Sequence, residues 1–189
     1  MKLAFAVLLA LAIPASAAGA ATGEKAVPGA GLQVPDVAVT DQEGRPVRFY
    51  SDLVRGKVVA INFIFTHCTT ICPPLGANFA KLRQMLGERA GREVRLISVS
   101  VDPGNDTPAR LKAWAEKFGH GGPGWTLVTG EREQVSTLLK ALGAYTADPA
   151  SHSPLLLLGN DATGHWTRAH GLAPPAVIAG LLHDLEAQP

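Results

Sequence analysis

The two cysteines of the chain, Cys68 and Cys72, lie four residues apart. If the segment between them is helical or turn-like, residues i and i+4 share one face, with Cβ atoms about 5–6 Å apart. A small backbone adjustment then lets the sulfurs form a disulfide or bind one metal ion together. A disulfide closing so short a loop contributes only about 2 kcal/mol to stability, which makes a purely structural bridge the weaker interpretation. The pair therefore predicts redox chemistry or metal binding.

Two thiolates leave a metal ion under-coordinated, and the chain has six histidines to complete a site. His152 lies in a polar loop, residues 148–154, directly before a strongly apolar segment. A titratable side chain on a loop held by a rigid strand is typical of a functional site. His67 adjoins Cys68, but adjacent side chains of an extended segment point to opposite faces, so it contributes only if the chain turns there. The remaining four fit helix ends, strand ends or the last helix: His120, His165, His170 and His183.

The composition excludes several classes of protein. With 189 residues, 47% of them hydrophobic and 17% charged, the chain predicts one folded domain rather than a disordered protein. A formal net charge of +1 gives no electrostatic basis for binding nucleic acid. Two cysteines are too few for a disulfide-rich scaffold, or for a four-thiolate zinc or iron–sulfur centre within one chain.

Residues 1–20 have the pattern of an export signal. Lys2 precedes the apolar run Leu3–Ile13, Pro14 interrupts that run, and residues 15–17 form an A-x-A cleavage sequence. The run is shorter than the roughly 18–20 residues that span a bilayer, and an uncleaved anchor lengthened by the following alanines is the alternative. Cleavage removes one lysine and no acidic residue, which leaves 16 basic and 16 acidic residues. We expect the protein in the periplasm or another exported, oxidising compartment, where neighbouring thiols can form a disulfide.

The rest of the chain predicts a flexible leader over residues 21–34 and an α/β domain over residues 35–189. The pattern gives a hairpin, three strand–helix pairs, a second hairpin and a closing helix. The predicted strands are Val37–Thr40, Val47–Phe49, Val58–Phe65, Val94–Val101, Trp125–Val128, Leu155–Leu158 and His165–Ala169. The nearly continuous apolar run Val58–Phe65 predicts a central strand buried on both faces. The first predicted helix follows Pro73-Pro74, the second has Thr107 as its N-cap and Pro108 as its first residue, the third covers Glu131–Leu142 with Gly143 after its end, and the fourth covers Pro174–Leu185. The alternating middle implies parallel strands, and the second hairpin adds antiparallel ones. A mixed sheet flanked by helices, with a thiol pair where a strand meets a helix, predicts a thioredoxin-like fold.

The thiol pair is predicted at the carboxyl edge of this sheet, where open α/β sheets place ligand sites and a helix N-terminus favours thiolate. Asp102 and Asp106 flank a Pro/Gly loop at the same edge. A turn and a helix-cap contact account for them, and the alternatives are support of the metal site or a partner-docking surface. For Trp125 and Trp166 we expect packing in the core or in a hairpin.

Three separated motifs resemble the Sco family, the copper chaperones of cytochrome c oxidase assembly, also called SenC proteins in bacteria. They are FTHCTTICP at residues 65–73, SVSVDPGNDTP at residues 98–108, and His152-Ser153 before a leucine-rich strand. The motifs occur in the family's order and spacing, and the resemblance covers residues 33–187. It implies a thioredoxin-like fold and one copper ion bound by Cys68, Cys72 and His152. Soft thiolates with one imidazole suit Cu(I), and can hold Cu(II) with an extra ligand, while zinc is the competing metal.

The resemblance implies an exported copper carrier rather than an enzyme, with a copper-site subunit of cytochrome c oxidase or another copper chaperone as its partner. We expect a soluble monomer whose partner is close to the membrane. The alternative is a thiol–disulfide oxidoreductase that keeps a partner's copper-binding cysteines reduced, with Cys68 and Cys72 as the redox pair. A peroxidase is disfavoured, because Thr66 is near the thiols in sequence but no arginine is.

Two features depart from the usual family pattern. The family often has proline followed by an acidic residue between the cysteines, whereas Thr69-Thr70-Ile71 carries no charge. This difference predicts a changed local potential, and with it a changed metal affinity or redox poise. Many family members also keep a membrane anchor, whereas this chain has the pattern of a cleavable signal.

Overall fold

The computed structural model describes residues 32–119 and 123–188. The expected export signal, most of the expected leader, and His120 lie outside the described residues. Within them, the order of strands and helices is the predicted one. The strands are β1 (Ala38–Asp41), β2 (Pro46–Arg48), β3 (Val58–Ile64), β4 (Val94–Ser100), β5 (Trp125–Thr129), β6 (Leu155–Asn160) and β7 (His165–His170); the helices are α1 (Cys72–Leu86), α2 (Pro108–Glu116), α3 (Arg132–Leu142) and α4 (Pro175–Ala187).

The seven strands form one mixed sheet in the order β2-β1-β5-β4-β3-β6-β7. Strands β3, β4 and β5 are parallel, and the remaining pairs are antiparallel. Ile64 at the end of β3 lies opposite Ser100 at the end of β4, so the segments that follow these strands leave the sheet side by side. Strand β6 runs against β3, which brings the start of β6 to this same edge.

Both faces of the sheet are covered, as the continuous apolar run of β3 predicted. All seven residues of β3 are buried, and alternate side chains enter two separate apolar cores. Helices α1, α2 and α4 contribute Phe79, Trp114 and Leu182 to one core. Helix α3 contributes Leu138 to the other. Trp125 and Trp166 are buried, in agreement with their predicted packing role.

Two predicted helix ends are confirmed in detail. The Thr107 hydroxyl oxygen accepts a hydrogen bond from the backbone N–H of Arg110 at 3.3 Å, so Thr107 caps α2 with Pro108 as its first residue. Helix α3 ends at Gly143, whose φ of 70° is the left-handed conformation that glycine adopts without strain. None of the helices within the described ranges is long and apolar enough to cross a membrane.

Several strand boundaries differ from the prediction by one or two residues, and at one of them the predicted strand residue belongs to another element. Phe49 was expected to end β2, but it begins a π-helical turn, Phe49–Val54. Its N–H still donates to the carbonyl oxygen of Val37 at 2.9 Å, as a strand residue would. The chain turns there because the Asp52 carboxylate accepts from the N–H of Arg48 at 2.6 Å, and the turn places the Phe49 ring inside the second core.

Candidate metal centre

The turn between β3 and α1 places both cysteines at the carboxyl edge of the sheet. Within this turn the N–H of Cys68 donates to the carbonyl oxygen of Phe65 at 3.2 Å. Helix α1 begins at Cys72, slightly earlier than predicted, and the prolines that follow occupy its first turn, where an N–H is not needed. The turn folds Cys68 over the start of the helix, so that the N–H of Cys72 donates to the sulfur of Cys68 at 3.3 Å. The i, i+4 spacing therefore puts both sulfurs on one face, as expected.

His152 reaches the same edge from the loop that precedes β6. A short helical turn, Pro149–Ser151, comes directly before it, and the Asp148 carboxylate caps that turn by accepting from the N–H of Ala150 at 2.9 Å. The N–H of His152 then donates to the carbonyl oxygen of Pro149 at 3.2 Å. Because β6 is antiparallel to β3, the residue just before β6 lies beside the residues just after β3.

The structure brings the three predicted ligands together. The Sγ atoms of Cys68 and Cys72 and a ring nitrogen of His152 all lie within 4.8 Å of one another, and Cys72 Sγ is 3.4 Å from His152 Nε2. With metal–sulfur bonds of about 2.3 Å and metal–nitrogen bonds of about 2.0 Å, three ligands arranged trigonally around one ion lie about 3.7–4.0 Å apart. Shortening the widest separation by less than about 1 Å would therefore let one ion bind all three atoms.

The orientation of the His152 ring suits this role. We assign the ring proton to Nδ1, because Nδ1 lies 3.2 Å from the carbonyl oxygen of Ser153 and can donate only to it. The lone pair of Nε2 then points towards Cys72 Sγ. The Phe65 ring meets the imidazole edge-on, with centroids 5.6 Å apart and planes at 78°. Burial lowers the pKa of His152 and outweighs the opposing hydrogen bond to Ser153, so the ring stays neutral and able to bind a metal near neutral pH.

The two thiols differ in acidity. Burial opposes ionisation of Cys68, but hydrogen bonds from Cys72 and Thr70 together outweigh it and lower the pKa of the Cys68 thiol. The Thr70 hydroxyl lies 3.6 Å from the Cys68 sulfur. Burial raises the pKa of the Cys72 thiol, and the hydrogen bond to the Cys68 sulfur and the nearby Asp106 charge act in the same direction. Cys68 is thus the more acidic thiol of the pair, and Cys72 the thiol that can donate to the Cys68 sulfur or to His152.

The other described histidines do not join this group. His67 is exposed although its neighbour Cys68 is buried, in agreement with adjacent side chains pointing apart. The three remaining described histidines are exposed at the two ends of β7 and on α4: His165, His170 and His183. Within residues 32–119 and 123–188, the only group of three potential metal ligands is Cys68, Cys72 and His152.

The sequence offered support of the metal site only as an alternative for Asp102 and Asp106, and it did not pair Asp106 with Thr66. Asp106 does not cap α2, which Thr107 does; its carboxylate instead accepts from the hydroxyl of Thr66 at 2.6 Å. Asp102 stays in the turn, where it accepts from the side-chain amide of Asn105 at 2.8 Å. Thr66 and Asp106 are 40 residues apart, and the only signal for their contact was the predicted meeting of both segments at one sheet edge.

A mixed sheet with helices on both faces, and a Cys-x-x-x-Cys turn facing a distal histidine, define a thioredoxin-like protein with a candidate metal site at its thiol pair. The SCO1/SenC family model matches residues 30–174, and the chain belongs to this family. The SCO1 protein homolog of Bacillus subtilis is 33% identical over 126 residues, which are 66% of this chain and 64% of that protein. The matched segments cover less than two thirds of the length of the curated relatives.

Solved structures share the fold over nearly their whole length. The protein designated BsSco, which has a disulfide switch and belongs to the Sco family of cytochrome c oxidase assembly proteins, is 28% identical with a TM-score of 0.70, covering 88% of this chain and 100% of its own. Bradyrhizobium japonicum ScoI, solved with copper bound, is 24% identical with a TM-score of 0.66, covering 85% of this chain and 98% of its own. The likeness to ScoI concerns the fold.

Proposed function

We propose that this chain is an exported copper carrier, which binds one copper ion through Cys68, Cys72 and His152 and passes it to a copper site of a respiratory oxidase. The observation that carries the proposal is the convergence of two sulfurs and one imidazole nitrogen within 4.8 Å at an edge of the sheet. Membership of the SCO1/SenC family supports the same metal.

The donor set favours copper over zinc. Two soft thiolates and one imidazole suit Cu(I), and Cu(II) needs one further ligand. Structural zinc sites use four protein ligands, whereas the cluster in the described part of the chain has three. Binding releases the proton of Cys72, whose pKa is raised by burial, so copper uptake is accompanied by proton release.

Delivery requires that the partner's ligands replace these ligands one at a time. Cys68 and His152 retain a small exposure, 8% and 7%, whereas Cys72 has none. Exchange therefore begins at Cys68 or His152 and ends at Cys72. The partner is a copper-site subunit of cytochrome c oxidase or another copper chaperone, and it meets the uncharged segment Thr69-Thr70-Ile71, of which the two threonines are exposed.

The proposal includes export of the chain by its amino-terminal signal. Residues 1–20 direct the chain to the periplasm or another exported compartment, and residues 21–34 link the signal to the domain at residues 35–189. Amino-terminal sequencing of the protein from a periplasmic fraction tests this directly. A new terminus at or just after Ala17 agrees with cleavage, whereas an intact Met1 in the membrane fraction indicates an anchor.

The test of the metal site is a competitive titration of the reduced protein with Cu(I) against a chromophoric Cu(I) chelator. We expect one Cu(I) per chain and a clear loss of affinity in His152→Ala. His183→Ala is the matched control, because the His183 side chain is 76% exposed on α4. An unchanged affinity in His152→Ala removes that residue from the site, and no binding by the unaltered protein contradicts the copper function.

A thiol–disulfide oxidoreductase is the second candidate, favoured by the hydrogen bond from the Cys72 N–H to Cys68 Sγ and the lowered pKa of Cys68. In this reaction the Cys68 thiolate attacks a partner disulfide and expels one partner thiolate. Cys72 then attacks the mixed disulfide, which leaves a Cys68–Cys72 disulfide and a reduced partner; an external dithiol regenerates the pair. Reductase activity that survives His152→Ala but neither cysteine substitution would favour this function.

A further inference from the structure

Asp106 is a buried carboxylate that the copper chemistry does not use directly. It lies in the loop between β4 and α2, and only 2% of it is exposed. In the described part of the chain its side-chain partners are all uncharged. Oδ1 accepts from the N–H of Thr66 at 3.1 Å and from the Thr66 hydroxyl at 2.6 Å, while Oδ2 accepts from the Ser100 hydroxyl at 2.6 Å. A buried charge is costly unless hydrogen bonds satisfy it, and here neutral groups do so.

These bonds join two segments that leave the sheet side by side. Ser100 is the last residue of β4, a central strand buried along most of its length, and its hydroxyl oxygen also accepts from the N–H of Asp102 at 3.0 Å. Thr66 lies in the turn after β3, two residues before Cys68. The carboxylate therefore connects the turn that carries Cys68 to a rigid strand.

The same turn also positions the third ligand. Phe65, next to Thr66, accepts the N–H of Cys68 through its carbonyl oxygen and meets the His152 ring with its side chain. Fixing Thr66 in place thus fixes the backbone that holds the Cys68 sulfur, together with one wall of the pocket around His152. The helix cap of α2 is supplied separately by Thr107, so Asp106 is not needed for it.

We propose that Asp106 is a positioning residue of the metal centre, which acts through Thr66 to hold Cys68 in register with Cys72 and His152. This inference rests on the proposed copper function. Residues that orient metal ligands through hydrogen bonds typically change metal affinity about 10–100-fold when they are removed. A loss in this range is expected when the Thr66–Asp106 contact is broken, although neither residue binds the metal.

Paired variants at Thr66 test the contact. Thr66→Val removes the hydroxyl that donates to Asp106 and keeps the size and the backbone N–H, whereas Thr66→Ser keeps the hydroxyl. We expect Cu(I) affinity to fall about 10–100-fold in Thr66→Val and to stay near that of the unaltered protein in Thr66→Ser. Asp106→Asn should lower the affinity as well. Asp102→Asn is its matched control, because the Asp102 carboxylate lies on the same loop and accepts from Asn105 instead.

A readout without copper separates this inference from the proposed function. In the metal-free reduced protein, a released turn exposes Cys68, so peptide-resolved iodoacetamide labelling of Cys68 should be faster in Thr66→Val than in Thr66→Ser. If the unaltered protein binds no Cu(I), the copper function fails, and the labelling rate alone decides the positioning role. The double variant Thr66→Val/Asp106→Asn should lose no more affinity than the stronger single variant, since both substitutions act on the connection between Thr66 and Asp106. The proposal would be overturned if Thr66→Val changed neither the Cu(I) affinity nor the labelling rate of Cys68. Additive losses of affinity in the double variant would also overturn it. Reduced stability in urea unfolding would not rescue the proposal in either case.

Discussion

The backbone N–H of Cys72 donates a hydrogen bond to the sulfur of Cys68 at 3.3 Å, across the start of α1. This contact contributes to the chemical difference between the two cysteines. It favours negative charge on Cys68, whereas burial keeps Cys72 protonated. The pair therefore combines a more acidic and a less acidic thiol, which suits stepwise metal exchange and thiol–disulfide exchange equally.

We predict that Cys68 reacts with iodoacetamide faster than Cys72 in the folded, reduced, metal-free protein. Hydrogen bonds lower the pKa of the Cys68 thiol and burial raises the pKa of the Cys72 thiol, so Cys68 has the larger thiolate fraction at any pH near neutral. Mass spectrometry of the labelled peptides measures both rates. The two rates should become similar in concentrated urea, and similar rates in the folded protein would contradict the asymmetry.

The free energy of unfolding of the metal-free reduced protein should fall as the pH drops below about 6.5, in part because of His152. Burial lowers the pKa of His152 in the folded state, so below the unfolded pKa of about 6.5 the unfolded chain binds more protons than the folded one. The loss ends once the pH passes the lowered folded pKa. Through His152, the free energy of unfolding changes by at most about 1.4 kcal/mol per pH unit.

Urea unfolding between pH 7.5 and 5 tests this prediction with His152→Gln, which cannot be protonated. The pH dependence should weaken in that variant, and it should persist in His183→Gln, which alters an exposed histidine on α4. The chosen range avoids the titration of Asp36, whose pKa is lowered to about 2 by its hydrogen bonds to Ser51. An identical slope in His152→Gln and the unaltered protein would show that His152 is not the buried group responsible.

Local patterns were sufficient to predict most of the fold. The nearly continuous apolar run at Val58–Phe65 identified the central strand β3, Thr107 and Pro108 identified the start of α2, and Gly143 the end of α3. Each of these signals acts through neighbouring residues, such as a cap bond or a left-handed glycine. Phe49 was misplaced because the contact that turns the chain, from Arg48 N–H to Asp52, competes with a strand pattern that the sequence also contains.

The candidate site was only partly accessible to the same reasoning. The i, i+4 spacing of the cysteines predicted a shared face, but His152 is 80 residues beyond Cys72, and the residue pattern alone identified it only as a loop histidine typical of a functional site. The prediction that it is the third ligand came from the resemblance to the Sco family, and its approach to the cysteines depends on the pairing of β6 with β3. The Thr66–Asp106 contact likewise exists only after two loops meet at one sheet edge.

Copper should stabilise the reduced protein against thermal unfolding, because it binds the folded state through groups that are dispersed in the unfolded chain. At a free Cu(I) concentration 100 times the dissociation constant, the gain is about 2.7 kcal/mol. Differential scanning fluorimetry under anaerobic, chelator-buffered conditions measures the shift in Tm. Cys72→Ser should abolish the shift, since it removes the ligand closest to His152 Nε2. An equal shift in Cys72→Ser would place the copper elsewhere on the protein.

Gly159 in β6 should tolerate no side chain, because it lies directly opposite Trp166 in the β6–β7 hairpin. A Cβ at position 159 would lie 2.3 Å from the nearest atom of the Trp166 ring, which is largely buried and has little room to move. We therefore expect Gly159→Ala to lower the free energy of unfolding by about 1–3 kcal/mol, and by more if β7 separates from β6.

Gly180 on α4 provides the opposite case for the same substitution. A Cβ there would meet no atom within 4 Å, and alanine is favoured over glycine inside a helix by about 1 kcal/mol. Gly180→Ala should thus leave the free energy of unfolding unchanged or raise it by up to about 1 kcal/mol. Urea unfolding of Gly180→Ala and Gly159→Ala under the same conditions measures both effects. Replacing Trp166 with leucine in the Gly159→Ala background should recover part of the loss, because it removes the ring that the new methyl group meets. Equal effects of the two alanine substitutions would mean that the close approach of Trp166 to Gly159 does not limit this hairpin.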